Sequence, residues 1–169
     1  HARKPLRPFT RRYGSRRSAP HHRSYNNDRD SHFTEFIMHL HDLETPALIL
    51  DRTKVDRNIA RLRDRLAGLG VTLRPHVKTN KSADVARRIG EPGTPITVST
   101  LKEAEYFLQH GWTDILYAVG IAANKFAHVQ RLMQQGAQMT VILDNVASAQ
   151  ALAAFCKDHN LTFPGLVKS

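Results

Sequence analysis

Residues 74–81 read Arg-Pro-His-Val-Lys-Thr-Asn-Lys, and they overlap the end of an apolar β-type segment at 71–77. The segment places one lysine, Lys78, at the carboxyl end of a predicted strand. Sites in parallel α/β folds are built at the carboxyl ends of strands. Desolvation there lowers an ammonium pKa, and the freed lone pair can attack a carbonyl to form a Schiff base. We therefore expect an amine partly out of water at Lys78; the alternative is a surface loop whose basic side chains are only solvated.

Outward from this stretch, short β-type runs alternate with helical periods. Such alternation, with helices of ordinary length, predicts right-handed βαβ units and a parallel sheet. Periodicity alone does not separate an open doubly wound sheet from a closed barrel. No Gly-x-Gly-x-x-Gly or Walker-type loop follows any run, which argues against nucleotide binding. The predicted strands are 47–51, 71–77, 96–99, 114–118, 139–143 and 163–167.

Several pieces of this sequence occur together in the order and spacing of a known family. They are Thr-Pro-Ala at 45–47, Leu-Ile-Leu-Asp at 48–51, Arg-Pro-His-Val-Lys-Thr at 74–79 and Thr-Leu-Lys-Glu-Ala-Glu at 100–105. With these pieces, the chain from Leu43 onward resembles the amino-terminal part of the D-threonine aldolase and D-serine dehydratase family. These are pyridoxal-phosphate enzymes of fold type III, with an alanine-racemase-like barrel. The family continues the specific piece with His and then Lys, whereas this sequence has Asn80 and then Lys81.

The resemblance implies a TIM-type βα barrel, an α/β fold, of which this chain holds about five of eight strands. The run at 47–51 would leave the barrel for a second domain. Lys78 would carry pyridoxal 5'-phosphate as a Schiff base, and the substrate would be a D-β-hydroxy amino acid. The resemblance also implies a divalent metal, but the family's His and Cys ligands come late in the sequence and are absent from this chain. We therefore assign no metal ligand here.

Polar neighbours of Lys78 each have a functional and a structural interpretation. His76 lies on the same side of an extended strand, where a neutral imidazole either assists the cofactor or hydrogen-bonds within the barrel. Thr79 either donates a hydrogen bond near the cofactor ring or, like Asn80, caps the next helix; for Asn80 we favour capping. Arg74 either repels the Lys78 ammonium or pairs with an acid elsewhere in the barrel.

Three further polar residues fall at or just past predicted strand ends. Thr100 is a candidate cofactor ligand, although its spacing to Glu103 also predicts a capping box. Tyr117 either contacts the cofactor or packs half-buried. Asp144 or Asn145 is expected to cap the last helix. The single cysteine, Cys156, excludes an intrachain disulfide and suits a reducing, cytoplasmic setting.

The net charge of +10 is concentrated at the amino end. Residues 1–37 carry nine Arg or Lys against three Asp or Glu, and they are rich in Ser, Pro and His. This composition predicts a disordered basic tail. It resembles a transit peptide but lacks an amphipathic face. Since the first methionine is Met38, we interpret residues 1–37 as upstream, non-native sequence and 38–169 as a partial pyridoxal-phosphate-binding barrel.

The function we predict is that of a D-amino-acid lyase fragment, of the D-threonine aldolase or D-serine dehydratase type. An amino-acid racemase is the alternative among enzymes, and a non-catalytic fragment with a nucleic-acid-binding tail is the alternative outside them. We expect a small-molecule D-amino acid as partner, a homodimer at full length, and neither nucleic acid nor membrane. The 169-residue chain alone is expected to be inactive.

Overall fold

A computed structural model describes residues 39–168, which fall into two compact units. The described part of the first unit, residues 39–47, contains a 3₁₀ turn at Leu40–Asp42. The second unit begins at Leu48 and holds the α-helices and strands. The predicted basic tail, 1–37, lies outside the described residues. Within residues 39–168, no helix has the length and apolar character that a membrane span requires.

Helices and strands alternate along the second unit, as the sequence predicts. Most helices begin at a polar cap: the side chains of Asp51, Ser82, Thr100 and Asn145 each accept a hydrogen bond from a backbone N–H in the first turn of the helix that follows. In chain order the elements are α1 (Arg52–Gly68), α2 (Ala83–Ile89), β1 (Ile96–Val98), α3 (Leu101–Gln109), β2 (Asp114–Gly120), α4 (Phe126–Gln134), β3 (Gln138–Leu143), α5 (Val146–Asp158) and β4 (Gly165–Val167).

The four strands form one parallel sheet in the order β1-β2-β3-β4. Each βα unit therefore adds its strand on the same side of the previous one. A doubly wound sheet reverses its direction at a switch point, whereas a βα barrel does not. The strand order thus favours the barrel over the open doubly wound sheet, and the observed arc is a partial barrel.

Two predicted strands are not formed in the structure. Residues 48–50 are exposed and make no ladder, since no strand among residues 39–168 pairs with them. The run at 71–77 is reduced to one parallel bridge between His76 and Thr97. The Val77 N–H donates to the Thr97 carbonyl at 2.9 Å, and the Thr97 N–H donates to the Pro75 carbonyl at 2.8 Å. A segment becomes a strand only where a neighbour pairs its backbone groups over several residues.

The core lies between the sheet and its helices. Residues in register across parallel strands share a face of the sheet, and the next residue of each strand lies on the other face. The register Val98, Tyr117 and Val141 is fully buried, together with Phe107 and Val129 of the helical layer and Trp112 of the loop after α3. The preceding register, His76, Thr97, Leu116 and Thr140, therefore lies on the opposite face, which would be the interior of a closed barrel.

Candidate active site

Lys78 lies in a tight turn directly after the bridge to β1. The turn is closed by a hydrogen bond of 2.9 Å from the Lys81 N–H to the Val77 carbonyl. Val77 is fully buried, whereas Lys78 is exposed. The expectation of an amine partly out of water is therefore not met among the described residues. What the fold provides is a rigid base: one buried side chain and two backbone hydrogen bonds precede and close the turn that carries the amine.

The His76 imidazole is held on both sides of its ring. Its Nδ1 accepts a hydrogen bond from the Lys78 N–H at 3.3 Å, and its Nε2 lies 3.3 Å from Ser99 Oγ. Because Nδ1 accepts, this network assigns the proton of the neutral ring to Nε2, which then donates to the serine hydroxyl. Desolvation lowers the pKa of His76, the Lys78 charge lowers it further, and Glu103 acts in the opposite sense. The ring is thus kept neutral beside Lys78.

The residues just after Lys78 cap the next helix differently from the prediction. Ser82, not Thr79 or Asn80, is the cap: its hydroxyl accepts from the Val85 N–H at 3.4 Å. Asn80 Oδ1 accepts from the Ser82 N–H at 3.3 Å and so supports the cap from outside the helix. Thr79 is exposed at the same edge of the sheet as Lys78. The cap therefore lies two residues after Asn80, and the Asn80 side chain instead forms an Asx turn just before the helix.

Thr100 is exposed at the end of the sheet, whereas Tyr117 is buried. Thr100 is exposed, and its hydroxyl accepts from the Glu103 N–H at 3.0 Å, which confirms the predicted cap. Tyr117 is fully buried on the helical side of the sheet rather than half-buried, and its hydroxyl accepts from Lys125 Nζ. The fold therefore brings Thr100 to the same end of the sheet as His76 but does not place the Tyr117 ring on the face that carries His76.

Arg74 pairs with an acid, which is the second of its two interpretations. Its guanidinium makes two hydrogen bonds to the Asp114 carboxylate, at 2.8 and 3.0 Å, and another to the Ile96 carbonyl at 3.2 Å. Asp114 and Ile96 are the first residues of β2 and β1. The pair therefore lies at the amino ends of the strands, away from Lys78. In βα barrels that end is associated with stability and the other with chemistry.

Of the two cap residues that the sequence predicts for the last helix, the structure selects Asn145. Asn145 is the cap of α5, accepting from the Ser148 N–H at 2.7 Å, whereas Asp144 lies beside it and accepts from Asn145 Nδ2 at 2.8 Å. The Asp144 carboxylate lies against the backbone of Gly120: a Cβ there would be 2.0 Å from Asp144 Oδ2. A glycine at the end of β2 therefore makes room for this carboxylate at the carboxyl edge. Residues 39–168 contain no group of three His, Cys, Asp or Glu side chains suited to a metal ion.

Sequence reasoning missed the role of Glu103 around this site. Glu103 is 9% exposed, and its Oε2 accepts from the Ser99 N–H at 2.8 Å. Its Oε1 lies 3.6 Å from the Lys81 ammonium. The capping-box spacing does identify Glu103 as a residue that bends back toward the helix start. No sequence signal shows that the same carboxylate also meets Lys81 and the segment that holds His76.

Comparison with known proteins gives close sequence relatives for this unit. Over 124 residues the chain is 48% identical to D-threo-3-hydroxyaspartate dehydratase of Delftia sp. strain HT23, a match that covers 72% of this chain and 32% of the relative. It is 30% identical to D-serine dehydratase of Dictyostelium discoideum over 122 residues, covering 69% of this chain and 31% of that protein. The chain thus spans about a third of the length of these relatives. No protein-family model matches it.

Solved structures agree with the sequence relatives. An alanine-racemase-like protein from Idiomarina loihiensis matches with a TM-score of 0.72 at 40% identity, over 74% of this chain and 34% of that one. The D-threonine aldolase from Filomicrobium marinum matches with a TM-score of 0.65 at 30% identity, over 76% of this chain and 35% of its own. The chain is therefore a homologue of the amino-terminal part of the D-threonine aldolase and D-serine dehydratase family, with its alanine-racemase-like fold.

Proposed function

We propose that this chain supplies the cofactor-binding lysine of a pyridoxal-phosphate-dependent lyase that acts on D-β-hydroxy amino acids. The observation that carries the proposal is the position of Lys78, an accessible amine on a turn fixed to the carboxyl edge of a parallel sheet. The names of the relatives support the substrate class, since they include dehydratases and aldolases of D-serine, D-threonine and D-3-hydroxyaspartate. The whole protein's activity is part of the proposal because the matched region covers about a third of each relative.

The donor set at this edge fits pyridoxal phosphate. Its aldehyde requires an exposed primary amine, which Lys78 offers, and its ring requires polar groups nearby, which the imidazole of His76 and the hydroxyls of Thr79 and Thr100 offer. When bound, the cofactor supplies an electron sink that stabilises negative charge at the substrate Cα. Lys78 would hold it covalently. Tyr117 is not part of this set as we propose it, because its hydroxyl is engaged on the helical face.

The roles of the chain's own residues follow from their contacts. His76, kept neutral by desolvation and by the nearby lysine, carries its proton on Nε2, which faces Ser99 and can donate that proton at the carboxyl edge. Its Nδ1 lone pair is engaged by the Lys78 N–H, so the imidazole can accept a proton only after that contact is released. A homodimer, a cytoplasmic location and a metal requirement of the longer protein stay predictions.

The test is to treat the 169-residue chain with pyridoxal phosphate, reduce with borohydride and map the modified peptides by mass. We expect the label on Lys78. Lys102 is the matched control, since its side chain is 88% exposed on the neighbouring helix. Label spread evenly over Lys81 and Lys102 would overturn the assignment.

Dehydratase and aldolase activities are separated by products. In a longer version of the protein supplied with D-3-hydroxyaspartate, loss of water releases ammonia and a 2-oxo acid, whereas cleavage between Cα and Cβ releases glycine and an aldehyde. Ammonia release is the expected result, given the higher identity to the dehydratase than to the 3-hydroxy-D-aspartate aldolases, 48% against 33%.

A further inference from the structure

The buried carboxylate of Glu103 makes contacts that helix capping does not explain. In a capping box the acid reaches back to the N–H of the cap residue itself. Here the cap is Thr100, yet Glu103 Oε2 accepts from the N–H of Ser99, one residue earlier, at 2.8 Å. Its Oε1 faces the Lys81 ammonium at 3.6 Å. One carboxylate, nine-tenths buried, thus connects the start of α3 to the turn that carries Lys78.

The first connection runs through Lys81. This residue adopts a φ of 46°, the left-handed region that side-chain-bearing residues seldom occupy. Its N–H closes the turn on the Val77 carbonyl at 2.9 Å. Such a conformation persists only where the surroundings hold it, and the described contacts that hold Lys81 are this hydrogen bond and the ion pair to Glu103. Loss of the carboxylate therefore loosens the turn at its carboxyl end.

The second connection runs through Ser99 and His76. Glu103 fixes the backbone of Ser99, Ser99 Oγ meets His76 Nε2 at 3.3 Å, and His76 Nδ1 accepts from the Lys78 N–H at 3.3 Å. These contacts form a continuous chain from the carboxylate to the backbone of the proposed cofactor lysine. Both connections start at Glu103 and end in the same five-residue turn, one at each side of Lys78.

We propose that Glu103 is a positioning residue, which acts through Ser99 and His76 on one side and Lys81 on the other to hold the Lys78 turn in its reactive arrangement. The inference rests on the proposed function in taking Lys78 as the reacting amine. Glu103 touches neither substrate nor cofactor in this role. Its carboxylate places a negative charge 3.6 Å from the Lys81 ammonium, and the field of that charge also acts on the His76 imidazole.

The charge of Glu103 has a readout that does not depend on catalysis. Desolvation and the charge of Lys78 lower the pKa of His76, and the charge of Glu103 acts to raise it. Removing that charge while keeping a hydrogen-bond acceptor must therefore lower the His76 pKa further. An unchanged His76 pKa in such a variant would mean that the Glu103 carboxylate does not act on the imidazole.

The test compares three variants of the 169-residue chain. Glu103→Gln removes the charge but keeps an oxygen that can accept from the Ser99 N–H, and Glu103→Ala removes both. Glu105→Gln is the matched control: it makes the same chemical change on the same helix, but its carboxylate pairs with Lys102 and His128 instead. The His76 ring is titrated by NMR, with its resonance assigned by its loss in His76→Asn. The rate of borohydride-trapped labelling of Lys78 by pyridoxal phosphate is measured relative to Lys102.

We expect Glu103→Gln to lower the His76 pKa, and Glu103→Ala to slow relative Lys78 labelling about fivefold, the factor that one net hydrogen bond contributes. Glu105→Gln should change neither quantity. Lys81→Met removes the ammonium but leaves the Glu103 carboxylate in place. It should therefore slow labelling of Lys78 without removing the contact between Glu103 and Ser99. An unchanged His76 titration in Glu103→Gln overturns the inference. If wild-type Lys78 takes no label, the proposed function fails, while the titration still decides the role of Glu103.

Discussion

Adjacent residues Val77 and Lys78 should respond to alanine substitution in opposite ways. Val77 is fully buried, and Lys78 is exposed one residue later. Val77→Ala should therefore weaken the fold and leave the lysine chemistry in place. Lys78→Ala should leave the fold intact and abolish specific trapping of pyridoxal phosphate. The pair separates the residue that anchors the turn from the residue that we propose reacts.

The expected magnitudes follow from burial. Val77→Ala removes two buried methyl-sized groups, each worth about 0.8 kcal/mol of transfer free energy. The cavity left behind adds to this, so the free energy of unfolding should fall by about 2 kcal/mol. The ammonium of Lys78 makes no hydrogen bond or ion pair within residues 39–168, and the substitution there should change stability by less than about 0.5 kcal/mol.

Urea unfolding followed by circular dichroism measures the first quantity, and mass mapping after borohydride reduction measures the second. Two results would refute the reasoning. One is a loss of about 2 kcal/mol or more in Lys78→Ala, which would make the lysine a structural residue. The other is undiminished labelling of the 74–81 region in Lys78→Ala, which would move the reacting amine to Lys81.

The remaining predictions concern the cap, the ion pair, the imidazole and activity. Thr100→Ala should reduce the free energy of unfolding by about 1 kcal/mol, and an unchanged urea midpoint would contradict the cap. Arg74→Met should cost about 1 kcal/mol, because the bidentate pair with Asp114 is a third exposed and partly screened; Lys78 labelling should be unaffected, since the pair lies at the opposite strand ends. The pKa of His76 is lowered in the fold, so the unfolded chain protonates this ring more readily than the folded chain as pH falls below about 6.5. The free energy of unfolding should therefore fall as pH drops below that value. His76→Gln should abolish this part of the pH dependence. The 169-residue chain with pyridoxal phosphate should not turn over D-threonine or D-serine; turnover lost in Lys78→Ala would show otherwise.

Local sequence signals predicted the elements well where a single residue type has one dominant physical role. Thr100 and Asn145 are caps because short side-chain oxygens satisfy the free N–H groups of a helix start. In α1, apolar residues recur at helical spacing from Val55 to Leu66, although none of the residues of this helix is buried in the described part of the chain. Residues 47–51 carry the same apolar character as the true strands, and they form none because strand formation depends on a pairing partner.

The alternation of strands and helices, the family resemblance and Lys78 as the candidate amine could all be predicted from local patterns, because periodicity, caps and a specific motif are local properties. The side of the sheet that each residue occupies became known from the fold. It placed Tyr117 among the helices, Arg74 at the amino ends of the strands, and Glu103 between Lys81 and Ser99. These placements depend on strand order and register, which bring together residues that are distant along the chain, and no local pattern encodes them.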